Sequence, residues 1–388
     1  MIKINQKQNC SGCSSCVNAC PKHCIEMVED NEGFLYPQVD VSKCIDCGLC
    51  ERACPIINKV STEHTPTAYA CINKNENIRL QSSSGGVFTI IAENVINNGG
   101  VVFGAAFDDK FNLVHIYTNT ILGISKFRGS KYLQSKIGDT YNQTKEFLGK
   151  GTKVLFSGTP CQISGLLSYI GRPDNNLICM DIICHGVPSP KVFRMYRTKL
   201  EKQHCATTRR ITFKCKDSSW KNYSISLLFS NNKEYKKVVM QDIFMKGFLQ
   251  NLYLRPSCYD CKSKSLNRLS DITIGDFWGI ENIVPELDDD KGTSLILVNS
   301  DKGKTMFNQL RDKMILKQVN CDEAIKYNSS AIESVPINSK RDKFFKNLDS
   351  RSDDISELIS KYTKISFFKR VYRKMGAILS KEKRKLLK

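Results

Sequence analysis

Between residues 139 and 183 the apolar positions change rhythm several times, and this stretch predicts the architecture around it. Residues 140–148 carry helical spacing, and 153–157 are a short continuous apolar run. Gly158-Thr159-Pro160-Cys161 then turns into a second helix through Ile170, and 176–183 form another apolar run. Helices alternating with buried strands make a βαβ rhythm, which implies parallel strands with right-handed crossovers. Parallel sheets place their ligands outside the carboxyl ends of the strands. Cys161 and Cys184 each fall just past such an end. Were the two strands neighbours, about 4.8 Å apart, both thiols would open onto one crevice.

On the amino-terminal side, Val87, Ile90, Ile91 and Val95 repeat at helical spacing. Gln81-Ser82-Ser83-Ser84-Gly85-Gly86 precedes them, and Asn97-Asn98-Gly99-Gly100 ends the helix. Residues 101–107 and 113–118 read as two strands joined across a polar turn. Residues 126–135 have little periodicity. On the carboxyl side the pattern predicts a helix over 191–203, three β-rich runs (210–215, 223–229 and 235–240) and a helix over 242–252. Short strands follow at 270–274 and 295–298. The segment 340–360 is polar and charged and predicts no element. The polar connector ending Thr65-Pro66-Thr67 marks the first domain boundary.

The chemistry of the chain begins ahead of that connector. Cys10, Cys13, Cys16 and Cys20, closed by Pro21, repeat as Cys44, Cys47, Cys50 and Cys54, closed by Pro55. This C-x2-C-x2-C-x3-C-P run is the ligand pattern of bacterial two-cluster ferredoxins, in which the fourth Cys of each run reaches the other cluster. By that rule Cys10, Cys13, Cys16 and Cys54 hold one 4Fe–4S cluster, and Cys44, Cys47, Cys50 and Cys20 the second. C-x2-C spacing also suits zinc, but zinc sites rarely require two identical four-Cys runs. Of the 18 Cys, eight belong here.

Cys258-x2-Cys261 is half of a further metal motif. Cys161 and Cys184 are the thiols that complete it as a third four-iron cluster. A zinc clip, a redox-active dithiol and buried structural Cys are the competing uses. Cys24, Cys71, Cys179, Cys205, Cys215 and Cys321 have no partner at useful spacing and read as small hydrophobes. The Ser/Gly loop at 82–86 opens a helix, so it serves either as an ordinary cap or as an anion cradle. Lys126, Arg128 and Lys131, interleaved with hydroxyls, form either a solvated loop or a site for an acidic ligand.

Together, Gly158-Thr159-Pro160-Cys161-Gln162, Cys184-His185-Gly186, Cys258-Tyr259-Asp260-Cys261 and Gly275-Asp276-Phe277-Trp278-Gly279 resemble a known family. It is the beta subunit of coenzyme F420-reducing hydrogenases and dehydrogenases, here with a ferredoxin domain in front; the plant 7-hydroxymethyl chlorophyll a reductase is similar to the same group. The resemblance runs from Cys10 to about residue 300. It implies FAD in the middle domain and an iron–sulfur cluster beside it. Ser83, Ser84, Gly85 and Gly86 fall at the family's nucleotide loop, and Lys131, Tyr132, Gln134 and Ser135 at a second flavin-side segment. The fold expected is α+β/α/β, a small two-cluster ferredoxin domain (1–60) on a mixed α/β flavin-binding domain with βαβ units. That domain has an amino-terminal part over 68–190 and a carboxyl-terminal part over 191–340, and a basic tail occupies 341–388.

The function expected is an iron–sulfur flavoprotein oxidoreductase. A ferredoxin or a partner subunit would supply electrons, and hydride would leave to a small-molecule acceptor, coenzyme F420 or another. His185 and Asp276 are the candidates for catalytic proton handling. An electron-transfer subunit of a larger complex, without its own substrate, is the alternative. Charge excludes less than its size suggests, since the 28 residues from 361 contribute +10 of the +19. No aromatic-interleaved basic patch accompanies the Cys motifs, which argues against a nucleic-acid binder. Absence of a signal-like apolar run and of membrane-length apolar stretches points to the cytoplasm. In the tail, Ile365, Phe368, Tyr372, Met375 and Leu379 form an apolar stripe edged by cations, which predicts peripheral contact with an anionic membrane.

Overall fold

A computed structural model of the chain describes residues 1–349 and 354–364. The expected tail helix at 365–379 therefore lies outside the described residues. Ile25–Glu29 (β1) and Leu35–Val39 (β2) pair antiparallel in the small amino-terminal domain. Two one-turn helices, Ser15–Asn18 and Leu49–Arg52, carry Cys16 and Cys50.

The body is built on one eight-stranded sheet. Its strands are Thr67–Asn73 (β3), Val101–Phe107 (β4), Leu113–Thr118 (β5), Val154–Gly158 (β6) and Leu177–Ile182 (β7). A separate antiparallel sheet then forms from Thr208–Cys215 (β8), Ser224–Phe229 (β9) and Glu234–Val238 (β10). The large sheet resumes with Ile272–Asp276 (β11), Ser294–Val298 (β12) and Met314–Val319 (β13). Its order is β13-β3-β12-β11-β7-β6-β4-β5. The four strands from β11 to β4 are parallel, and antiparallel strands flank them on both sides.

The βαβ expectation is met where it matters. β6 and β7 are parallel neighbours in the register Gly158↔Asp181, with Pro160–Ile170 as the crossover helix. That helix starts sharply because Thr159 and Gln162 form a reciprocal capping box and Pro160 occupies the first turn. Cys161 is thus fixed on a capped helix end.

Several elements carry no signal of their own. β3 and β13 fall outside the elements the apolar pattern predicts; β3 pairs antiparallel with both β12 and β13, and β12 is buried at all five positions. The boundary at 340/341 needs correction. Helices Arg341–Lys346 and Ile355–Thr363 belong to the body, with Phe344, Leu348, Ile355, Leu358 and Ile359 buried in its largest core. Polar residues outnumber these anchors, which hides the apolar stripe.

His115 links β5 to this framework. It is buried, with Nε2 2.9 Å from Ser157 O and Nδ1 2.8 Å from Ser135 Oγ, which also accepts from Gln162 Nε2. Burial lowers its pKa to about 4. The unfolded chain then binds the extra proton between about pH 6.5 and 4, so stability falls as pH drops through that window. A shift of this size corresponds to roughly 3 kcal/mol. His115→Gln should flatten the acid limb of anaerobic unfolding titrations between pH 6.5 and 4; an unchanged limb would mean that His115 does not set it.

Candidate metal centre and cofactor cleft

In the structure Cys10, Cys13, Cys16 and Cys54 lie near enough to feel one another's charge, and Cys20, Cys44, Cys47 and Cys50 line one pocket. Cys13 and Cys16 are buried or nearly so; burial first, and then the charges of Cys10 and Cys54 among the neighbouring thiols, raises the pKa of both. In the second set Cys47 is exposed, while Cys20 and Cys50 are buried. Cys24 departs from its reading as a plain hydrophobe. Its Sγ is 3.4 Å from that of Cys20, so it packs among the second set of ligands.

Cys161, Cys184, Cys258 and Cys261 come from three separated segments and line one cavity, whose empty space of about 620 Å³ includes its opening to solvent. The parallel register delivers the first two. The one-turn helix Pro256–Asp260 delivers Cys258, and Cys261 follows at its end. The thiols feel one another: burial first, then their mutual charge, raises Cys258 to about 11 and Cys184 to about 12. Four such thiolates require a compensating cation, which is the chemistry of an iron–sulfur donor set. Val187 N–H donates to Cys258 Sγ at 3.4 Å, a contact of the kind that tunes such clusters. Among the described residues no three His, Cys, Asp or Glu side chains gather to hold a single metal ion.

The ferredoxin domain reaches this cavity, since Ser11 and Ile56 line it too. One turn after Cys161, Gly165 lies against Cys13; a Cβ there would stand 3.0 Å from Cys13 Sγ. Gln134 donates to Ser11 O at 2.8 Å and accepts from Arg255 at 3.0 Å. It therefore serves the domain junction.

His185 also borders the cavity. Burial lowers its pKa, and Nε2 lies 2.8 Å from Asn251 Oδ1. Asp276 lies elsewhere, at the end of β11. It pairs with the fully buried Lys214 at 2.5 Å and accepts from Trp220 Nε1 at 2.9 Å. Lys214 Nζ sits 4.8 Å from the Trp278 ring centroid and 4.9 Å from that of Tyr223, a cage of rings around one cation. Desolvation depresses the Lys214 pKa, with Asp276 opposing it. Sequence reasoning misses Lys214 and Trp220, because the run holding Lys214 reads simply as an alternating strand.

The two flavin-side segments meet: Ser130 N–H donates to Ser83 Oγ. Most of their side chains already serve protein contacts. Ser84 Oγ donates to Thr293 O, and the Lys131 ammonium donates to the carbonyls of Phe127, Arg128 and Gly129. Burial pushes Lys131 down to about 7, while three acceptors match the three N–H groups of an ammonium. The Tyr132 ring packs on Phe213 and Phe248, and Ser135 holds His115. Gly85 packs against the sheet, since a Cβ would come within 2.3 Å of Cys71 O. The start of helix Val87–Asn97 is buried, and its N-cap Gly86, at φ 82°, offers no side-chain cap.

Comparison with known proteins bears on both parts. A chain of the F420-reducing [NiFe] hydrogenase complex from Methanosarcina barkeri, solved with xenon derivatization, superposes with a TM-score of 0.44. It is 14% identical, and the match covers 77% of this chain and 92% of that one. NADH-quinone oxidoreductase subunit I of Pelobacter propionicus is 38% identical over 62 residues, 14% of this chain and 33% of that protein. Ferredoxin 7Fe of Hydrogenibacillus schlegelii is 46% identical over 43 residues, 11% of this chain and 49% of the ferredoxin. The chain thus spans between a third and a half of these two relatives. The 4Fe–4S dicluster domain model matches residues 9–56. The model for the carboxyl terminus of the coenzyme F420 hydrogenase/dehydrogenase beta subunit matches 151–324, the span that holds all four cavity cysteines. The chain therefore carries a 4Fe–4S dicluster domain match at its front and, over 151–324, a match to the carboxyl-terminal model of the coenzyme F420 hydrogenase/dehydrogenase beta subunit.

Proposed function

We propose that this chain is an iron–sulfur flavoprotein oxidoreductase that takes electrons at its ferredoxin domain and delivers hydride to an organic acceptor. The observation that carries the reading is the four-thiol cavity, shared by Cys161, Cys184, Cys258 and Cys261 and lined also by Ser11 and Ile56 of the ferredoxin domain. When bound, the clusters supply one-electron transfer, and FAD pools two such electrons for one hydride. Cys44, Cys47, Cys50 and Cys20 would form the outer set, where a ferredoxin or a partner subunit docks. Exposed Val41 and Ile45 give that rim an apolar character. Cys10, Cys13, Cys16 and Cys54 form the inner set, against the helix that bears Cys161.

FAD would rest with its pyrophosphate at the start of helix Val87–Asn97, through the backbone of the Ser83–Gly86 loop, with Lys131 to Ser135 shaping the adjacent wall. His185 would hold or pass a proton beside the third cluster, and Asp276 would keep Lys214 charged. The acceptor is a small molecule, coenzyme F420 or another. Flavin released by heating anaerobically purified protein, about one per chain, tests the cofactor; flavin-free protein with full iron would refute it.

A variant sharpens that test. Gly86→Asp puts a carboxylate at the helix start at a backbone cost of about 1 kcal/mol, because φ 82° favours glycine, so flavin is compared only in variant protein shown to be folded and iron-complete. The new Cβ would stand 3.2 Å from Arg79 Cα and from Asn73 Cβ, which adds to that cost. The same carboxylate would repel a pyrophosphate and should lower flavin affinity at least about tenfold. Equal flavin retention in variant and parent would place the pyrophosphate elsewhere.

A further inference from the structure

Arg255 stands at the junction of the two metal-binding regions, and no carboxylate accounts for its charge. It is fully buried. Its Nε donates to Cys10 O at 2.8 Å, Nη1 to Gln134 Oε1 at 3.0 Å, and Nη2 to Leu35 O at 2.9 Å. Nη2 also lies 3.6 Å from Cys10 Sγ. The guanidinium stacks 4.4 Å from the centroid of Tyr36 and is flanked by Phe34. Each polar partner is a carbonyl, an amide or the Cys10 sulfur. A buried cation with neutral partners is costly, and in folded proteins such charges are paired.

The main chain of the same residue holds the other site. Arg255 N–H donates to Val187 O, and Arg255 O accepts from Cys258 N–H, both at 2.9 Å. Val187 N–H in turn reaches Cys258 Sγ. One residue therefore has its backbone in the Cys258 turn and its side chain on Cys10, 245 positions earlier. The loop between Cys10 and Cys13 is shaped to admit it. Gly12, at φ 71°, faces the guanidinium, and a Cβ there would come within 2.8 Å of Nη1.

We propose that Arg255 is the counter-ion of the ferredoxin cluster ligated by Cys10. A four-thiolate 4Fe–4S cluster is anionic and becomes more so on reduction. A buried cation that also hydrogen-bonds a ligand sulfur therefore favours the reduced form and raises the reduction potential. The outer cluster, on Cys44, Cys47, Cys50 and Cys20, has no contact with Arg255. The arginine thus shifts the inner cluster, and not the outer one, toward its reduced form. It is a positioning and tuning residue. The proposal depends on the dicluster domain alone, so it survives if the third cluster or the flavin fails.

The test is an EPR-monitored redox titration of the anaerobic full-length holoprotein, with iron counted in the same samples. In Arg255→Gln, one of the two ferredoxin clusters should become at least about tenfold harder to reduce, a downward shift of about 59 mV for one electron. The other cluster should keep its potential. Arg255→Lys keeps the charge but loses the planar fork, so a smaller shift of the same cluster is expected. If Arg255→Gln loses ferredoxin iron, Arg255→Lys decides: a downward shift of one cluster supports the proposal, and parental potentials overturn it. Iron-complete Arg255→Gln with neither cluster shifted, or with both shifted equally, also overturns it. Total iron in the parent reports the third site separately.

Discussion

Replacing Cys161 and Cys258 together by alanine should lower iron from about twelve to about eight atoms per chain, with acid-labile sulfide falling in step, if three four-iron clusters are present. The ferredoxin spectrum should remain. The two substitutions remove ligands from different segments, so neither Cys184 nor Cys261 can rebuild the set. No other free thiol lines that cavity. Burial pushes Cys184 up to about 12 and Cys258 up to about 11 in the metal-free site, so the thiols there are neutral and the substitutions strand no buried charge. The metal-free variant should therefore fold, and a soluble, eight-iron protein is the expected product. Eight iron atoms in parent and variant alike would remove the third cluster and leave the ferredoxin pair standing.

How much of this is legible in the sequence depends on whether the signal is local. The ferredoxin ligands can be read residue by residue because their spacing is the coordination geometry. Cys161 and Cys184 can be placed on one crevice because parallel strands leave little choice of where their ends lie, and the register Gly158↔Asp181 agrees. What escapes is non-local. β3 lies between β12 and β13, both of which follow it by more than 200 residues, so nothing near Thr67–Asn73 announces its partners. Lys214 alternates like any strand residue, and only the fold sets it against Asp276 and two tryptophans. Arg255 precedes a ligand loop, which is a faint clue, but its target lies in another domain. The Ser/Gly loop is legible as a loop, whereas the task of its glycines is not: Gly85 makes room for the backbone of Cys71.

The same non-local logic predicts a large effect at a residue that the sequence pattern assigns to the tail. Arg341 is mostly buried and clamps Glu32 of the ferredoxin domain with two N–H groups, Nη1 at 3.0 Å from Oε1 and Nη2 on Oε2. Glu32, with 14% of its side chain exposed, has little water to fall back on. The clamp also donates to Leu254 O, next to Arg255, and stacks on Phe345 at 4.6 Å. Arg341→Met should cost about 3 kcal/mol, since removing one partner strands a buried charge. Glu32→Gln alone should cost a similar amount. The double variant should recover part of the loss, because neither charge then lacks a partner. Anaerobic denaturant unfolding of the four proteins closes that cycle, followed by cluster absorbance and by the fluorescence of the two tryptophans in the body. If the clamp holds the domains together, the single variants should lose cluster absorbance at lower denaturant than tryptophan signal, while the parent loses both together. Additive single and double effects would mean that Glu32 and Arg341 act independently, and that the junction rests on Arg255, Gln134 and the Cys13–Gly165 contact.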